Sequence, residues 1–325
     1  MASGRREGRR PAGGDGARAA LWMLGGLAAL AAFAPWLAPY PPDAQLDILA
    51  LRTQPPSWLH PFGTDAYGRD VLSRVLYGGR VSLAVSGLAV LVGMGVATVV
   101  GVTAAAVGGI VNRLVRRALE VALAIPRLLL LVVVAGFFGP LPAGTLVLVI
   151  GLSGWFDVAR LVADDSAAQL ARDYVTASRA TGSGTARLVR RHLLPSLAPL
   201  LAALAPVSLA STIALEAGLG FLGLGIQPPQ ASWGTILQDG ITAGAGAWWL
   251  TVFPGGAMVL VIVAAHVAGE RLGAPSAGRL RDGVPAPQVA PTVAPQVAHQ
   301  VAQQVAPPSA APAGASPVSP STPAP

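Results

Sequence analysis

Four stretches of this chain run longer than a bilayer is thick with almost no charge. One lies between Arg80 and Arg113, and a second runs from Leu128 to Phe156. A third runs from Leu193 to Gln238, broken only by Glu216, and a fourth lies between Asp239 and Glu270. None holds another carboxylate or any guanidinium. A helix needs roughly 20 apolar residues to cross the hydrocarbon core. In lipid every backbone N–H and C=O must be satisfied internally, which leaves helices and closed barrels. Barrel strands alternate apolar and polar residues, and these stretches do not. The fold expected is all-α: a polytopic membrane helix bundle. Only 11% of the chain is charged, against about 25% in soluble domains, so lipid must cover much of the surface.

Six transmembrane helices are expected. The first follows a polar segment, 1–18, and covers 19–38. Its apolar run is too long for a signal peptide and reads as a retained helix. Residues 39–80 are Pro-rich and mixed in charge, and form an ordered extramembrane loop. Residues 81–272 hold the other five spans, over about 81–107, 118–138, 141–163, 193–224 and 248–268. Pro126 lies near the start of the third span, and Pro195, Pro199 and Pro206 interrupt the fifth. From 273 onward Pro, Ala, Val, Gln and Ser dominate. Val-Ala recurs at Val289, Val293, Val297, Val301 and Val305 between prolines, low-complexity sequence that predicts a disordered tail.

The basic residues orient the bundle. All 22 are arginine, and 17 fall in segments that lie on one side if the N-terminus is cytoplasmic. The short loops at 139–142 and 225–247 hold none. By the positive-inside rule both termini are cytoplasmic and 39–80 lies outside. The chain therefore belongs in the cell membrane.

Other classes are excluded by what is missing. There is no cysteine, hence no disulfide or thiolate chemistry. There is no lysine, so the chain cannot carry a standard P-loop. If transport is ATP-driven, another chain hydrolyses the ATP, and this one is no enzyme. The arginines flank membrane segments instead of clustering on a soluble face, which argues against nucleic acid. The four histidines are scattered. No metal site, cofactor or metalloprotease pattern is expected.

The third cytoplasmic loop, 164–192, is long for a link between two helices. Its first part, through Tyr174, Thr176, Ala177 and Ser178, is amphipathic. It stops at Gly182, a good C-cap, and Arg191 and Pro195 lead back into the membrane. This is either a lever for a cytoplasmic partner or an ordinary basic loop. Glu216 is a carboxylate inside an apolar span, placed for gating or for helix packing. Gly218, Gly220, Gly223 and Gly225 suit close helix contact or a flexible gate. His60 reads as structural. Asp65 and Asp70 read as caps of turns or short helices, or as contacts for a docking protein.

Three motifs add a resemblance. Tyr174 to Pro195 resembles the coupling loop of ABC importer permeases, where Glu-Ala-Ala precedes a glycine and a later Leu-Pro. Here the triplet is Thr176-Ala177-Ser178, the glycine is Gly182 and the Leu-Pro is Leu194-Pro195, so the glutamate is replaced. His60-Pro61-Phe62-Gly63-Thr64-Asp65, with Gly68-Arg69-Asp70-Val71-Leu72-Ser73-Arg74, resembles the outer loop of the dipeptide/oligopeptide/nickel permease family. Glu216-Ala217, Phe221 to Gly225, Pro228-Pro229 and Ser232-Trp233-Gly234 resemble the end of its fifth helix. The likeness covers about 20–272 and is closest to the second permease subunit of that family. It implies an importer of peptides or a related small solute, such as nickel, working by alternating access. The implied partners are a second homologous permease, two ATP-binding cassette subunits and an extracytoplasmic solute-binding protein. The segment Tyr174–Gly182 with Arg191 and Pro195 would contact the ATPase. The alternative reading is an ion-driven carrier, for which one deep carboxylate is few.

Overall fold

The structure, a computed structural model, describes residues 13–283 apart from Pro140, Tyr174, Thr176, Ala177 and 179–183. Among these the chain is helical, and its only strand-like pairing is an isolated bridge between Thr64 and Asp70. The helices are α1 (Gly13–Ala32), α2 (Ala34–Leu37), α3 (Val71–Val107), α4 (Gly109–Leu123), α5 (Arg127–Phe138), α6 (Ala143–Ser153) and α7 (Phe156–Leu170). Then come α8 (Thr185–Phe221), α9 (Trp233–Ala243) and α10 (Trp249–Gly283).

By length and apolar character α3, α8 and α10 each suffice to cross a membrane. The pairs α4/α5 and α6/α7 suffice when each is taken as one bent span, with bends of 76° and 46°. The sixth expected span is α1, whose apolar part, Arg18–Ala32, is shorter.

Several boundaries differ from expectation for physical reasons. Helix α3 begins ten residues before the expected start at 81, because Asp70 caps it by accepting a hydrogen bond from the Ser73 amide. At 37 residues it is about 55 Å long, so its polar first turns project beyond the bilayer core. Pro126 does not lie within a helix but ends one. Proline disfavours helical geometry in the residue before it, and the chain turns sharply into α5.

Pro199 and Pro206, expected to interrupt the fifth span, lie inside continuous helix. Ahead of Pro195 the helix widens into a π turn over Val189–Leu193, with the Leu194 amide bonded to the Val189 carbonyl. Such a turn relieves crowding beside a proline ring. The loop expected at 225–247 contains a helix, α9, started by a capping box between Ser232 and Thr235. Helix α10 continues to Gly283, ten residues past the expected start of the tail. Residues 284–325, with the Val-Ala repeat, lie outside the described residues.

Helices α3 and α8 form the axis. Val71, Val75 and Ile213 pack with Trp233, Ile236 and Leu250 in one cluster. Val85, Ala89 and Leu219 pack with Leu131, Leu146 and Ile150 in a second. Ala97, Val102, Leu193 and Leu197 pack with Leu119, Ala159 and Val162 in a third. Small residues bring the helices close: a Cβ on Gly151 of α6 would stand 2.8 Å from the Ala89 carbonyl of α3. This is the packing that membrane helices use in place of hydrophobic exclusion.

Candidate functional site

The end of the bundle where α3 begins is held by buried charge. Asp65 accepts from the Tyr67 amide at 2.8 Å and the Arg69 amide at 3.0 Å. Its second oxygen pairs with Arg69 at 2.6 Å and Arg74 at 2.5 Å. Both arginines also reach Asp239 of α9, at 3.3 and 2.6 Å. Two guanidiniums and two carboxylates thus tie the 39–70 segment to α3 and α9. Beside them His60 Nδ1 lies 2.9 Å from Asp70, whose other oxygen accepts from the Ser73 amide and hydroxyl at 2.8 Å each. His60 is thus held by Asp70, and Asp65 and Asp70 cap a turn and a helix. Among the described residues no cluster of His, Asp and Glu suits a metal.

Next to this network lies a cavity of 530 Å³ between the 39–70 segment, α3, α6 and the loop before α9, lined among others by Tyr77, Arg80, Leu88, Val147 and Gln230. Glu216 of α8 is fully buried at the junction of α3, α8 and α9. Ser82 and Ser232 are the polar side chains that face it, yet neither carboxylate oxygen has a hydrogen bond in good geometry. Ser82 Oγ already accepts from the Trp233 amide at 3.2 Å. It keeps a hydroxyl proton to offer.

Gly223 and Gly225 lie just past the end of α8. Gly223 has φ +77°, the left-handed geometry that glycine tolerates. Its amide bonds to the Gly220 carbonyl at 3.0 Å and that of Leu224 to the Leu219 carbonyl at 2.9 Å, a Schellman stop. The span ends at Phe221, three residues short of expectation. A Cβ on Gly225 would come within 2.6 Å of Gly220, so this glycine serves close packing.

Deeper in the bundle is a pair that sequence reasoning passed over. Arg127 opens α5 and Asp157 lies in the first turn of α7, so each sits at the break of a bent span. Arg127 donates to the Ile150 carbonyl at 2.7 Å and to Ser153 at 3.2 Å. Asp157 acts on it electrostatically without forming a contact ion pair. The signal was present: these two residues bracket the uncharged stretch 128–156, and Arg127 is the one arginine that the inside–outside partition leaves unassigned.

In the loop between α7 and α8, Tyr174, Thr176, Ala177 and Gly182 lie outside the described residues. Ser178 is in a helical position, and Arg191 and Pro195 are exposed at the start of α8. Val175 and Leu188 are each 2% exposed and line a cleft with Leu193 and Gln169. Val175 thus lies beside the base of α8.

Residues 97–273 match the family model described as binding-protein-dependent transport system inner membrane component. Residues 15–56 match the N-terminal transmembrane domain of oligopeptide transport permease C. The chain is 42% identical to the dipeptide transport system permease protein DppC of Escherichia coli strain K12, over 75% of this chain and 82% of the relative. It is 37% identical to the di/tripeptide transport system permease protein DppC of Pseudomonas aeruginosa, over 74% and 81%. A putative peptide permease protein of Brucella suis is 36% identical over 73% and 78%. With these matches the helical bundle, its bent spans and its capped outer loop have a common setting: the chain belongs to the binding-protein-dependent inner membrane permeases of ABC importers, in the dipeptide/oligopeptide/nickel family.

Proposed function

We propose that this permease forms one half of a path for short peptides through the inner membrane. The observation that carries the reading is the 42% identity, over 82% of its length, to a dipeptide permease. A sister permease would form the other half, two ATP-binding cassette subunits would hydrolyse ATP, and a solute-binding protein would deliver peptide from outside. Both termini and 164–192 face the cytoplasm in this arrangement, with six spans between them. The segment from 273 onward is not needed for transport in this reading, so truncation after Gly273 should leave uptake nearly intact. Family membership sets aside the ion-driven carrier.

Tyr174, Thr176, Ala177, Ser178 and Gly182, with Arg191 and Pro195, form the ATPase contact. Closure of the ATPases draws this loop inward, and α8 passes the movement to Glu216 and to the Gly223–Gly225 stop. The burial of Val175 and Leu188 supports this, because it couples the loop to α8 by packing. At Ala177 a bulky acid blocks close seating; overpacking of a tight contact costs about 1–3 kcal/mol. At Gly182 a β-branched residue resists positive φ. Ala177→Glu and Gly182→Val should each abolish peptide uptake and weaken co-purification of the ATPase, while the protein still inserts and pairs with its sister. If both variants bind and transport like the parent, the loop is a passive link.

A further inference from the structure

The Arg127–Asp157 pair has a geometry that its structural contacts do not exhaust. Arg127 Nε and Nη2 are engaged by Ser153 and the Ile150 carbonyl, but Nη1 makes no hydrogen bond to the described residues. Asp157 is exposed and carries no hydrogen bond. Helix α5 places Arg127 11 residues before Phe138, and Asp157 stands 14 residues after Ala143. By helix rise each charge hangs roughly 20 Å along its span from the turn at 139–142, inside a core about 30 Å thick.

An exposed carboxylate at that depth is costly against lipid and belongs on a water-filled path or a protein interface. Broken helices are likewise tolerated at membrane depth only where they are buried in protein or line such a path. Two cavities beside the pair offer such a space. A cavity of 260 Å³ lies between α3, α7 and α8, bordered by Arg127 and Asp157 together with Ser208, Ser211 and Thr212. A second, of 300 Å³, lies on the other side of Arg127, where α4 gives way to α5. Both are at or below the roughly 300–1,000 Å³ that hold drug-sized ligands. Their size suits a solute of about two residues.

A cavity with one free guanidinium N–H face, one free carboxylate and a row of hydroxyls complements a molecule bearing both charges. We propose that Arg127 and Asp157 form a transient site on the translocation path for the charged ends of a short peptide, Arg127 taking the terminal carboxylate and Asp157 the terminal ammonium. This rests on the peptide reading above and adds a selectivity step within the membrane. Guanidinium groups match carboxylates in two-point geometry. The free Nη1 and the cavity-facing edge of Nη2 offer such a pair of donors.

The test is equilibrium binding to the purified importer complex, without solute-binding protein and without nucleotide. The probes are dialanine, its C-terminal amide, and N-acetyl-dialanine. Saturable binding of dialanine is expected, at least 10-fold tighter than either blocked form. Arg127→Gln should remove the preference for dialanine over the amide. Asp157→Asn should remove the preference over the acetylated form. Asp157 is exposed, so that variant carries the test alone if Arg127→Gln does not assemble. Absence of saturable binding, or equal binding of free and blocked peptides by the parent, would overturn the site. So would preferences unchanged in the variants. Uptake of dialanine by cells is measured in parallel: if uptake depends on this chain while binding ignores charge, only the site fails. If uptake does not depend on the chain, the peptide reading itself fails.

Discussion

At the scale of the residue, the outer charge network sets a clear order of importance. Asp65 is fully buried and Arg74 is 4% exposed, whereas the Asp239 side chain is 27% exposed. Removing one partner of a buried pair strands the other, which costs about 3–5 kcal/mol; an accessible pair contributes about 1 kcal/mol or less. Asp65→Asn keeps an oxygen for the Tyr67 and Arg69 amides and removes only the charge. It should lower the unfolding temperature of the purified complex far more than Asp239→Asn, and the opposite order would show that α9 carries the lock. The cap at Asp70 was legible because its partner, Ser73, is three residues away. Asp239 was not, because it meets Arg74 across 165 residues and nothing local announces the contact. Arg127 and Asp157 were legible only as the limits of an uncharged run, because their meeting depends on two helix breaks coinciding in space.

At the scale of the element, span positions were legible from hydropathy but span shapes were not. Pro126 breaks a helix, while Pro199 and Pro206 do not. The difference lies in surroundings. The latter two sit in a helix held by all three apolar clusters, and tertiary packing there outweighs the missing hydrogen bonds. Glycine shows the same dependence on context. Gly151 has the Ala89 carbonyl 2.8 Å from where a Cβ would stand, whereas Gly95 has nothing within 4 Å. Gly151→Val should therefore wedge α3 from α6 and destabilise the bundle by about 1–3 kcal/mol, seen as reduced yield of assembled complex. Gly95→Ala should leave that yield unchanged. Equal losses at the two positions would mean that helix approach at Gly151 is not what holds the two elements together.

At the scale of the whole molecule, orientation rests on arginine placement and is open to a direct measurement. The chain has no cysteine, so single cysteines report without background. Placed at Ser57, Ser183 and Ser276, they should react with a membrane-impermeant thiol reagent in spheroplasts only at position 57. Labelling at 183 would invert the arrangement. The helical bundle class was legible as soon as the uncharged stretches were counted, since lipid permits little else. The short helix α9 was hidden because it is an amphipathic piece of 11 residues inside a proline-flanked, polar-looking segment. Its recognition depended on the capping box at Ser232, which a search for long apolar runs passes over.

The brevity of α1 reaches beyond the protein into the lipid around it. Its apolar part, Arg18–Ala32, extends about 22 Å, while α3 beside it is more than twice that length. Helix α3 meets its excess by projecting beyond the core, so any adjustment to thickness falls on α1. The bilayer must pinch where α1 meets it, or α1 must draw its flanking residues inward, at a fraction of a kcal/mol for each ångström of mismatch. On these lengths the first helix is expected to sit more easily in thin membranes than in thick ones.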